Sequence, residues 1–199
     1  MALLAVLFLS LLLFPSSASG EWYILKPGKD REGRVEVKEE IEGKKERAES
    51  TLKILAPTFT VITPELKKVS SEELLGKPTV IVFVDSFFSP FTEKFAKELE
   101  ETLSIEDVNL ILIDVHDADF LSAREFKEMM KIKKLLITAD SYIYEQFGEA
   151  LGGELSLPFA AVIDSYGFIR FAQPLKKLEP QEAVKRLREL LKKLEEEER

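Results

Sequence analysis

The chain has 199 residues, a net charge of −8, one histidine (His116) and no cysteine. The charge disfavours nucleic acid and anionic membrane surfaces as partners, because both repel an acidic protein. The missing thiol excludes disulfides, thiolate nucleophiles, thiolate metal sites and lipid attachment through cysteine. A Ser-His-Asp site is possible only through His116. The 45% hydrophobic content allows one sizeable core, and the excess of Lys, Glu and Arg over Asn and Gln suits a thermophile.

In chain order, residues 1–20 predict a secretory signal peptide. The apolar run ending at Phe14 is shorter than the roughly 20 residues a membrane span needs. Pro15 follows, and both Ser16-Ser17-Ala18 and Ala18-Ser19-Gly20 fit a small-x-small cleavage site. The n-region lacks Lys or Arg, so an uncleaved anchor is the alternative. Under either reading the rest is expected to be exported, to a periplasm or the cell exterior. Residues 21–55 form a charged N-terminal extension with sparse apolar positions and a turn in "KPGKDREGR".

Residues 56–199 carry the domain. "TFTVI" alternates as a strand does. "SSEELLGK" holds a short helical turn with Ser70 and Glu73 spaced as a capping box. "PTVIVFV" is continuously apolar, as in a strand buried on both faces. Ser89 then suits an N-cap and Pro90 the first helical position, with Phe91, Phe95, Leu99 and Leu103 along one face. "VNLILIDV" and "KLLIT" are further strands on either side of a helix in "SAREFKEMMK". Asp140 caps the helix "SYIYEQFGEAL", which Gly152-Gly153 ends. "PFAAVID" and "FIRFAQP" make a hairpin with Gly167 in its turn. Pro180 opens a last helix with Val184, Leu187, Leu191 and Leu194 in one stripe. This alternation predicts an α/β fold, a mostly parallel central sheet with helices on both faces, to which the closing hairpin adds antiparallel strands.

That order and its phrases resemble the thioredoxin-like superfamily, in its redoxin branch of AhpC/TSA peroxiredoxins and TlpA-type thiol-disulfide oxidoreductases. "APTFTV" is similar to that branch's "AP-x-F-x-L". "VSSEELLGKPTVIVFV" is similar to its "V-S-L-x-x-L-x-G-K-x-V-V-L-x-F-W", and "LPFAAVIDSYGFIRF" to its "V-P-T-T-F-L-I-D-x-x-G-x-I". The resemblance covers about residues 56 to 195. It implies a thioredoxin-like fold with a central mixed sheet.

Oxidoreductases of this type carry Trp-Cys-x-x-Cys where the strand meets the helix. The matching positions here are Phe87 and then Phe88-Ser89-Pro90-Phe91, so phenylalanine stands at both cysteine positions. A peroxiredoxin register instead sets Thr92 at the peroxidatic cysteine. Neither register leaves a thiolate, and thiol-disulfide exchange needs one. Pro158, six residues before Asp164, matches the cis-proline of the TlpA-type proteins. No arginine stands there as in peroxiredoxins, and Arg170 lies beyond the turn, so the TlpA-type register fits better. Leu157-Pro158 is expected to be cis and to lie beside the start of the Pro90 helix.

Phe87, Phe88 and Phe91 have two readings: core residues filling the place of lost cysteines, or rings lining an apolar groove beside Pro158. In active relatives that groove binds an extended peptide. A second candidate is the acidic loop "DVHDADF", with Asp114, His116, Asp117 and Asp119 after a strand, where one imidazole and two carboxylates could hold a metal. Loops of this kind are more commonly acidic for solvation and helix capping.

The function expected is a non-catalytic, exported binding or scaffold module for another envelope protein or an extended peptide. It needs no cofactor, and touches membrane only through an uncleaved N-terminal segment. The binding residues expected are Phe87, Phe88, Ser89, Pro90, Phe91 and Pro158. The alternatives are a divergent enzyme using the acidic loop, or a purely structural assembly domain.

Overall fold

A computed structural model describes residues 26–27, 35–36, 54–104, 106–116 and 119–197. The signal segment, nearly all of the N-terminal extension, and Asp117 lie outside the described residues. Within the extension, β1 (Lys26–Pro27) pairs antiparallel with β2 (Val35–Glu36).

The main sheet has six strands. Its spatial order is β3 (Ile54–Leu55), β10 (Phe168–Pro174), β9 (Phe159–Ile163), β6 (Thr79–Val84), β7 (Asn109–Asp114) and β8 (Leu136–Ala139). All six residues of β6 are buried. Its β-branched side chains have no polar alternation, which suits a strand covered on both faces. It runs parallel to β7, in register from Thr79↔Asn109 to Val84↔Asp114, and β7 runs parallel to β8.

The sheet is mixed, as the resemblance implies, with the parallel strands β6, β7 and β8 joined by antiparallel ones. β9 runs antiparallel to β6, and β10 antiparallel to both β9 and β3. The reason lies in the link 152–158, which delivers the chain to the carboxyl end of β6, so that Phe159 pairs with Phe83 and Ile163 with Thr79. A strand entering there can only run back. "TFTVI" holds a strand as its alternation predicts: among the described residues β4 (Thr60–Ile62) pairs with β5 (Lys68–Ser70), in a hairpin separate from the main sheet.

Alternation along the strands divides the interior in two. Val80, Val82, Val84, Leu110 and Leu112 face helices α1 (Pro90–Leu103), α2 (Phe120–Met130) and α4 (Pro180–Glu197). Ile81, Phe83, Ile111 and Ile113 face α3 (Ser141–Leu151), the β4–β5 hairpin and the 3₁₀ turn Ser71–Leu74. The helical stripes read from sequence fall on the core: Phe95, Leu99 and Leu103 in α1, and Val184, Leu187, Leu191 and Leu194 in α4, are buried.

The end signals also form as spaced. Ser70 and Glu73 make a reciprocal capping box, Asp140 Oδ1 accepts from the Tyr142 and Ile143 amides, and Gly152 takes the left-handed C-cap at φ 88°. Gly167 turns the β9–β10 hairpin at φ 91°, where a Cβ would stand 3.1 Å from Leu75 Cδ2. Among the described residues, no helix is long and apolar enough to cross a membrane.

Candidate functional site

The junction between β6 and α1 is a short turn anchored by side chains at both ends. Ser86 Oγ accepts from the Phe88 amide at 3.3 Å. The Phe87 amide donates to Asp114 Oδ2 at 2.8 Å, and Asp114 Oδ1 accepts from the His116 amide at 3.1 Å. Asp114 ends β7 and is buried, so its carboxylate ties the neighbouring strand's end to the turn. A carboxylate can accept several bonds at once, whereas a hydrophobic residue there would leave the buried Phe87 amide without a partner.

Ser89 caps α1. Its Oγ accepts from the Thr92 amide at 3.1 Å and shares a hydrogen bond with Thr92 Oγ1 at 2.8 Å. Pro90, exposed, takes the first helical position, where its missing N–H costs nothing. Both residues therefore have structural duties that need no ligand. Thr92, the position of the peroxidatic cysteine in the second register, is fully buried.

The three rings part company. Phe87 is fully buried and stacks on Phe126 of α2, with centroids 5.1 Å apart and planes at 16°. It presents no surface to a partner, which removes it from the binding group expected from sequence. Phe91 is partly buried, packs against the α1-side core and stacks on Phe95 at 5.5 Å. Phe88 remains 43% exposed, meeting Phe126 edge-on at 5.9 Å. Sequence reasoning missed Phe126, the ring on which both Phe87 and Phe88 rest. Its helical spacing from Ala123 marks it as a core residue, but nothing local says which residues it meets.

The Leu157–Pro158 bond is cis. Pro158 stands one residue before Phe159, the partner of Phe83, and so sits at the carboxyl end of β6, the edge from which the junction departs. It is partly buried, and its carbonyl accepts from the Leu175 amide at 2.6 Å.

Among the described residues, the acidic loop does not converge. Asp114 is buried and holds two amides. Asp119 is exposed and caps α2, its Oδ1 accepting from the Ser122 amide at 2.8 Å and the Ser122 hydroxyl at 2.9 Å. These bonds, the amide's first, hold the Asp119 carboxyl below its ordinary range. His116 is exposed, and Asp117 lies outside the described residues. Among the described residues, no three His, Asp or Glu side chains are grouped to hold a metal.

Solved structures that share this fold include the following three. A peroxiredoxin-like protein from Aquifex aeolicus superposes with a TM-score of 0.58 at 18% identity, covering 72% of this chain and 86% of that one. A thiol:disulfide interchange protein of the thioredoxin family from Chlorobium tepidum gives 0.53 at 21% identity, covering 67% and 95%. BsSco, a member of the Sco family of cytochrome c oxidase assembly proteins, gives 0.58 at 16% identity, covering 72% and 94%. At these identities the likeness establishes the thioredoxin-like fold. No curated protein matches the chain in sequence. The Redoxin family model matches residues 52–191, from just before β3 to within α4, and the chain accordingly belongs to the Redoxin family, as a member with no cysteine.

Proposed function

We propose that the protein is a non-catalytic binding module, an exported thioredoxin-fold protein that holds another envelope protein, or an extended peptide of one, at the position where redox-active relatives carry cysteines. The observation that carries this reading is Phe88. At a junction otherwise closed by a buried Phe87, a capping Ser89 and a stacked Phe91, one ring stays 43% exposed. An aromatic ring supplies contact area with few rotatable bonds, and interface hot spots favour such anchors. Pro158, at the same edge of the sheet, is the second surface residue of the proposed site. Export rests on the signal-like residues 1–20. Redox turnover would need a thiolate, and an alcohol with its far higher pKa does not replace one.

The test is capture from the native envelope with the full chain as bait, wild type beside Phe88→Ala. The reading expects a specific protein retained by wild type and lost with Phe88→Ala, the variant keeping its melting temperature within a few degrees. Equal retention of that protein by both baits would overturn the site. Retention of none by either would overturn the binding function.

A further inference from the structure

The link 152–158 joins α3 to β9 and carries Pro158 to the carboxyl end of β6. It lies in no helix or strand, so its course is set by what it touches. The Gly153 amide donates to the Gly148 carbonyl at 2.9 Å. That approach requires glycine at 148, because a Cβ there would stand 2.9 Å from the Gly153 oxygen. Leu155 is buried, and Leu157 packs against the same core as Phe83 and Phe159. At the middle of the link, the Tyr144 hydroxyl donates to the Leu155 carbonyl at 2.6 Å.

Tyr144 holds the link and the strand end together. Its ring meets Phe83 edge-on, with centroids 5.7 Å apart. Phe83 is in turn the register partner of Phe159, the residue after Pro158. A phenylalanine at 144 would supply the same ring contact. The hydroxyl adds one thing, a fixed place for the Leu155 carbonyl. Ordering an irregular segment costs conformational entropy, and a bond at its middle limits the courses it can take. Burial, and after it the charge of Glu154, push the Tyr144 phenol above its ordinary range, so the oxygen keeps the proton it donates.

We propose that Tyr144 is a positioning residue for the binding site of Phe88 and Pro158: through Leu155 its hydroxyl fixes the course of the link, and so the place of Pro158. The inference rests on the proposed binding function of that site. The test uses the full chain with Tyr144→Phe, which keeps the ring, and with Gly148→Ala, which displaces the link by pushing on Gly153. Hydrogen exchange should quicken about fivefold at the amides of 154–157 and at Leu175, whose amide bonds the Pro158 carbonyl, with β6 and α1 unchanged. The partner that wild type retains and Phe88→Ala loses should leave each variant about fivefold faster, the loss of one hydrogen bond's worth of order. Melting temperatures should stay within a few degrees of wild type. Link exchange unchanged in Tyr144→Phe, or quickened equally throughout the chain, would overturn the inference with or without a partner in hand. So would a loosened link that leaves retention undiminished, and in that case the Phe88 site stands. Capture of no partner, or of one held equally by wild type and Phe88→Ala, would remove the site itself and the inference with it.

Discussion

Phe87 and Phe88 are neighbours in sequence with the same side chain, yet the turn sends one inward and leaves the other half in water. Both touch Phe126, the first by stacking and the second by its edge. Truncation should separate them. Phe87→Ala is expected to lower stability by about 3–5 kcal/mol, the usual cost of emptying a phenylalanine site in a core. Phe88→Ala should cost about 1 kcal/mol, because roughly half of the ring's transfer free energy was never gained. Urea unfolding of the two variants checks the difference, and equal losses would mean that Phe88 is core. Asp114 gives a third residue-scale expectation. Asp114→Ala leaves the buried Phe87 amide without its acceptor and should cost about 1–3 kcal/mol. Asp114→Asn keeps a carbonyl oxygen for that amide and should be milder. Equal losses in the two variants would show that charge, rather than the acceptor, holds the turn.

At the scale of elements, caps decide where the helices begin. α1 starts at Pro90 because Ser89 satisfies the Thr92 amide, and Ser89→Ala should cost about 0.5–2 kcal/mol while Ser89→Asp retains the cap. Carboxylates serve at the start of α2 and of the 3₁₀ turn, through Asp119 and Glu73. Asp119 is held below its ordinary range mainly by the Ser122 amide, and Glu73 mainly by the Ser70 amide. A folded-state pKa below the unfolded one means that the native state binds fewer protons in acid. The stabilisation is therefore complete above the ordinary carboxylate pKa of about 4 and is lost as pH falls through the lowered values. Asp119→Asn keeps a capping oxygen but cannot titrate. Its melting temperature should fall less than that of wild type between neutral and strongly acidic pH, and parallel curves would show that the cap does not contribute to acid sensitivity.

For the whole molecule, two cores on one sheet hold the thioredoxin-like frame together without a pair of cysteines. The residues at the redox position now pack, cap and stack, and the chain has no sulfur nucleophile to place there. Purified protein should therefore show no thiol-dependent insulin reduction and no peroxide turnover above a blank. Activity that co-purifies with the chain through two orthogonal columns would overturn this.

Much of the fold was legible in the residues themselves. Continuous apolar β-branched runs, four-residue helical stripes, Ser, Asp and Gly caps, and the hairpin around Gly167 are local patterns, and local sterics and hydrogen bonding are enough to set them. The absence of thiolate chemistry was legible for a simpler reason, since it depends on composition alone. What tertiary structure decided was everything that depends on which strand lies beside which. β9 entered at the carboxyl end of β6 and ran back along it, and "TFTVI" took its partner in a hairpin outside the main sheet. Likewise, "SFFSPF" reads as three equivalent rings until Phe126 of α2 and Asp114 of β7 are brought against it. Those two partners lie 27 or more residues away along the chain, and only their packing determines that Phe87 is core while Phe88 meets solvent.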